Sequence, residues 1–133
     1  MAEPTSFYTG WLLDPGQREA LLERFPPRYA RAVAHHVTLK FGDRAAVTPG
    51  EVAAEIIGQA DDGAGVQAMV VRIDGAAERP DGGTFHITWS LGPGRDAKES
   101  NDVIAATGWS PIEPPAPLRL LPKPQAAVMP DEC

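Results

Sequence analysis

This 133-residue sequence has almost no cysteine: its single Cys133 stands at the very end. One thiol excludes a disulfide within the chain and any zinc cluster built on cysteine. No apolar run approaches the ~20 residues that span a bilayer. The opening Met-Ala-Glu-Pro-Thr-Ser carries an early acid and no apolar core segment, so it does not read as a secretory signal. A cytoplasmic location is the simplest expectation, with no membrane partner. Basic blocks are missing too. Acids outnumber bases by 18 to 12, for a net charge of −6. Proteins that grip extended duplexes neutralise many phosphates with a basic surface. Extended duplex binding is therefore not expected, while a small nucleotide or the end of an RNA strand stays open. No acidic ligand stands at motif spacing beside the histidines, so no metal or cofactor is expected. The run Asp61-Asp62-Gly63-Ala64-Gly65 lacks the rest of a calcium-binding loop and reads as a turn.

What is present suits one domain over residues 1–133, large enough to bury a core. Hydrophobic residues make up 43%, and 13 glycines and 14 prolines imply many turns. The run Ser6 to Leu13 predicts a strand. Asp14 as N-cap and Pro15 at the first helical position start a helix, with Leu21, Leu22 and Phe25 on its apolar face and Pro26-Pro27 as its stop. A polar connector, Arg28 to Arg31, leads to a strand over about 34–41. A loop over 42–50 precedes a segment, Glu51 to Ala60, whose composition also permits a short helix; the turn at 61–65 and the β-like run after it favour a hairpin with strands near 52–59 and 66–73. After a loop over 74–83 come a strand over 84–91 and a helix over about 97–107, closed by Gly108. A Pro-rich loop then leads to a last short strand over 118–121, and the tail from 122 reads as poorly ordered. Six strands and two helices, mostly in hairpin-length connections, predict an α+β fold on compact, two-lobed antiparallel sheet.

One short pattern occurs twice: His36-Val37-Thr38-Leu39 and His86-Ile87-Thr88-Trp89. Each copy lies in an apolar, β-branched run. Side chains alternate along a strand, so His and Thr two apart face the same way, while Val37, Leu39, Phe85, Ile87 and Trp89 face a core. Two strands that each present an imidazole and a hydroxyl to one space would line a small phosphate site. Trp11, Trp89 and Trp109 read as core residues. His35 is expected on the face opposite His36, in a structural or surface role.

The paired His-x-Thr-x pattern, with each copy on a strand, resembles the two-histidine (2H) phosphoesterase superfamily. The segment His86 to Leu91, followed by Lys98-Glu99-Ser100-Asn101, is similar to the cyclic phosphodiesterase domains of fungal-type tRNA ligases and related RNA-repair proteins. The resemblance runs from about Tyr8 to Leu121, and the two motifs are closer together than in many longer members. It implies paired His-x-Thr strands lining a central cleft, and hydrolysis of a cyclic phosphodiester such as a terminal 2′,3′-cyclic phosphate. An imidazole with an ordinary pKa near 6.5 serves as base or acid, so His36 and His86 would share those roles. Thr38 and Thr88 would donate to the non-bridging oxygens.

Further candidates for substrate contact are Lys40 and Ser90, which extend the two motif faces, and Tyr8, where an aromatic would stack a base. Ser100 and Asn101, with Arg95 and Lys98, stand at the junction into the last helix, where Ser100 or Asp96 would equally serve as a cap. A solvated or core role is the alternative for each. For the whole chain, the alternatives are a module that binds a cyclic nucleotide or RNA terminus without cleaving it, and a purely structural domain. A monomer is expected.

Overall fold

The computed structural model describes residues 7–41, 50–80 and 82–127, and side chains over 9–39, 50–80 and 82–122. The fold is α+β, with two helices and two antiparallel sheets. In chain order the elements are β1 (Phe7–Leu13), α1 (Pro15–Arg24), β2 (Arg31–Ala32), β3 (His36–Phe41), β4 (Ala54–Asp61), β5 (Val66–Ile73), β6 (His86–Leu91), α2 (Ser100–Thr107), β7 (Ser110–Leu118) and β8 (Leu120–Ala127). A single 3-10 turn, Ala97–Glu99, precedes α2. The smaller sheet has the order β3-β1-β8 and the larger β2-β6-β5-β4-β7.

Local signals place the first helix well. Asp14 accepts from the Gly16 amide at 2.8 Å, Pro15 opens the helix and Phe25 caps its end. The main core lies between the two sheets: Trp11, Leu13 and Val37 from the smaller meet Ile56, Met69, Ile87 and Trp89 from the larger. Leu21 of α1 is buried in it, with Leu22 and Phe25 packed alongside. Trp89 is wholly buried, and its indole N–H donates to the Phe25 carbonyl at 2.7 Å, which anchors the end of α1 to β6. A second apolar layer forms where α2 covers the other face of the large sheet, with Ile104 against Ala60, Ala68 and Val70.

Four expectations need correction. The strand predicted over 34–41 is shorter than expected and has a separate strand before it. Arg31, the last residue of the expected polar connector, and Ala32 pair with β6, and β3 starts only at His36. Between them Ala34 takes a positive φ of 40° and carries the chain from one sheet to the other. Its amide still donates to Thr88 of β6, whereas the His35 carbonyl already accepts from Leu13 of β1. The Pro-rich loop is in fact β7, with a cis Glu113–Pro114 bond. Proline cannot donate to a ladder, but among the described residues β7 is an edge strand with β4 as its one neighbour, so its outer side needs no donors. Leu120–Ala127, the end of the expected short strand and the start of the expected poorly ordered tail, is β8, which pairs with β1 from Leu13↔Leu120 to Phe7↔Ala127; the rest of that tail, 128–133, lies outside the described residues. That pairing spans the whole chain and leaves no local pattern. Eight strands therefore replace the six expected among the described residues. Finally, Trp109 is 40% exposed rather than core. It lies flat on Gly58, where a Cβ would come within 2.0 Å of its ring.

Candidate active site

β3 is an edge of the small sheet and lies beside β6 of the large one. On each strand the core takes the odd partners, Val37 and Ile87, and the alternate residues emerge on the other side. His36 and Thr38 thereby meet His86 and Thr88 around one small pocket, with Val33 as its apolar wall. The four polar side chains are only 4–6% exposed. Close approach of backbone makes this possible. Gly10 of β1 sits opposite Thr38, and a Cβ there would fall 2.1 Å from the Val37 carbonyl oxygen.

Each imidazole is held through Nδ1. In His86 this nitrogen lies 2.7 Å from the Thr84 carbonyl oxygen. A carbonyl only accepts, so Nδ1 carries the hydrogen and, in the neutral ring, Nε2 carries the lone pair. Asn101 steadies the same residue through its other backbone group, its Oδ1 accepting from the Thr84 amide at 3.1 Å. His36 has its Nδ1 3.0 Å from Nδ1 of His35, the two rings edge to face with centroids 5.1 Å apart. This overturns the expectation that His35 points away. The alternation rule applies within a strand, and β3 begins one residue later.

The hydroxyls differ. Thr88 Oγ1 donates toward the Ala97 carbonyl at 3.2 Å and is 2.7 Å from Ser100 Oγ. Ser100 is wholly buried, so it braces Thr88 instead of lining the pocket. Thr38 comes from the opposite strand and lines the pocket directly.

Ser90 lies elsewhere. The ladder between β5 and β6 shifts between Gln67 and Ala68, so that Trp89 is an extra residue between Thr88 and Ser90. Such a bulge interrupts alternation. Ser90 thus donates to Gln67 Oε1 and accepts from the Tyr29 amide at 3.2 Å, in a buried network away from the histidines. Lys40 and Tyr8 have side chains outside the described residues; their backbones lie on β3 and β1.

Beyond the pocket, Arg95 is committed. It pairs with Asp62 at 2.8 Å and Glu99 at 3.1 Å and donates to the Ala64 carbonyl at 2.7 Å. Asp96 caps the turn into α2 in a reciprocal box with Glu99. Lys98 is exposed, with Asp96 4.0 Å away. Arg31 and Ala30 line a wider, shallow groove with the segment Leu91 to Asp96. Among the described residues, no group of three or more His, Cys, Asp or Glu converges as metal ligands, and no helix is long and apolar enough to cross a membrane.

His35 and the Thr84 carbonyl are the site groups that sequence reasoning missed. The His-His pair directly before the strand start was the available signal for the first. A backbone carbonyl has no residue-type signal at all. No family model, curated protein or solved structure matches the chain at a significant level.

Proposed function

We propose that this chain is a cytoplasmic, metal-independent phosphodiesterase that opens a cyclic phosphodiester, the 2′,3′-cyclic phosphate of a nucleotide or RNA end. One observation carries the reading: two His-Thr pairs, from strands of different sheets, line a single pocket. In-line displacement at phosphorus needs a base and an acid on opposite sides. One imidazole takes a proton from water as its oxygen bonds to phosphorus. The other gives its proton to the ribose oxygen as that P–O bond breaks. The held Nδ1 of His86 directs this chemistry to Nε2.

Thr38 and Thr88 act on the non-bridging oxygens, where negative charge grows. Thr88 has one hydrogen, at present turned to Ala97 over a long 3.2 Å bond. With Ser100 donating to Thr88 Oγ1, that hydrogen turns to the phosphate and the pair acts as a relay of hydroxyls. The groove edged by Arg31 and Leu91 to Asp96 offers room for the rest of a nucleotide. The excess of acid over base fits a small ligand or a strand end better than a long backbone.

The test is turnover of a panel of 2′,3′-cyclic nucleotides in EDTA by the native chain, His36→Ala and His86→Ala. Turnover in EDTA that falls by about 10²–10⁴-fold in each variant is the expected result. Binding of the same ligands without turnover would replace the enzyme with a binding module. Neither binding nor turnover would remove the reading.

A further inference from the structure

We infer that His35 is a positioning residue for His36, the counterpart on the first strand of the Thr84 carbonyl on the second; the inference rests on the acid-base reading of the site. The two Nδ1 atoms are 3.0 Å apart, a hydrogen-bond distance between nitrogens that can each donate or accept. One hydrogen fits between them. Two imidazolium rings in this arrangement would set N–H against N–H, so the contact holds only if at least one ring is neutral.

The chemistry decides which ring donates. Whenever His36 is the acid, both its nitrogens carry hydrogens, and its Nδ1–H needs an acceptor. At 3.0 Å that acceptor is His35 Nδ1, which requires His35 to be neutral with its own hydrogen on Nε2. After His36 has given its proton from Nε2, the same bond holds it as the Nδ1–H tautomer, ready to take a proton back at Nε2. Both motif histidines are then held alike, through an Nδ1 donor, with Nε2 as the working atom. The backbone supplies the placement. Ala34 at φ 40° turns the chain just before His35, the His35 carbonyl is tied to Leu13, and the imidazole lies edge-on to its neighbour.

The experiment is ¹⁵N NMR of the histidine side chains in the full chain without substrate, on the native protein, His35→Phe and His35→Asn. The native His36 signal should report hydrogen at Nδ1 and a lone pair at Nε2. Phenylalanine keeps a ring of similar size without an acceptor, so His36 should shift toward the Nε2–H form, with turnover reduced about tenfold to a hundredfold. Asparagine offers a carbonyl oxygen and should restore both the tautomer and most of the rate. A native His36 with hydrogen at Nε2, or a tautomer unchanged in His35→Phe, would overturn the inference. The native spectrum decides this even if a variant does not fold. Native protein with the expected signature but no turnover would retire the phosphodiesterase reading and leave the His35–His36 pairing standing.

Discussion

The two threonine hydroxyls of the pocket are held differently. Thr38 lines the pocket directly, whereas Thr88 works with a buried serine behind it. Losing one oxyanion donor typically costs on the order of 10²-fold or more in rate. Thr38→Ala and Thr88→Ala should each lose about that much in kcat on a 2′,3′-cyclic nucleotide. Ser100→Ala should lose less, and adding it to Thr88→Ala should cost almost nothing further, since the two hydroxyls act as a unit. Steady-state kinetics on the three single variants and the double mutant checks this; full additivity of Ser100 and Thr88 would remove the relay. Elsewhere, Thr9 Oγ1 is buried and has no hydrogen-bond partner among the described residues. Burying an unsatisfied hydroxyl is costly, so Thr9→Val should leave stability unchanged or raise it by up to about 1–2 kcal/mol, as read by denaturant unfolding.

At the level of elements, the site depends on how closely β3 can lie against β1. Gly10 permits it, and any side chain there would strike the Val37 carbonyl. Overpacking of this kind typically costs about 1–3 kcal/mol. Gly10→Ala should lower stability by that amount. It should also depress turnover well beyond the loss of folded protein, because β3 carries both His36 and Thr38. An activity loss that only tracks the unfolded fraction would contradict this. The element scale also shows what was legible beforehand. α1 and the β4–β5 hairpin follow from a cap, a proline and a turn of Asp and Gly, all local signals. The split between β2 and β3, the bulge at Trp89 and the pairing of β8 do not. Each is settled by a partner strand far away in sequence, so Ser90 could not be separated from the His86 and Thr88 face by alternation alone.

Across the whole molecule, the β4–β5 turn is a clamp. Asp61 accepts from the Tyr29 hydroxyl and pairs with Arg28 at 2.8 Å, while Asp62 pairs with Arg95. The turn thus ties the segment before β2 to the loop that leads into α2. Burial alone would raise the pKa of Asp61, but Arg28, Tyr29 and the Gly63 amide together bring it below the ordinary carboxylate value. For Asp62 burial again opposes, and the Ala64 and Val66 amides with Arg95 outweigh it. Both carboxyls are more acidic folded than unfolded. Their contribution is complete above the unfolded value of about 3.9 and is lost as pH falls through the lower folded values. Acid titration of thermal stability should therefore show a steeper loss below about pH 4 in the native chain than in Asp61→Asn. Asp61→Asn should also cost about 1–3 kcal/mol at neutral pH, since it weakens charge-assisted bonds. Equal acid profiles would show that this turn is not the acid-sensitive clamp.

By itself the sequence determined the fold class, the first helix and the chemical content of the site: two His-x-Thr pairs with apolar residues between them. Period-two alternation and capping act over a few residues, so they survive in a one-dimensional reading. The tertiary structure alone decided that the two pairs face each other across neighbouring sheets. It also decided that Ser100, Asn101 and His35 stand behind the pocket and not in it, and that Ser90 turns away. Those outcomes depend on strand pairing, on a bulge and on one residue at positive φ. Each is selected by packing and hydrogen bonding between segments far apart in the chain, and no local pattern encodes it.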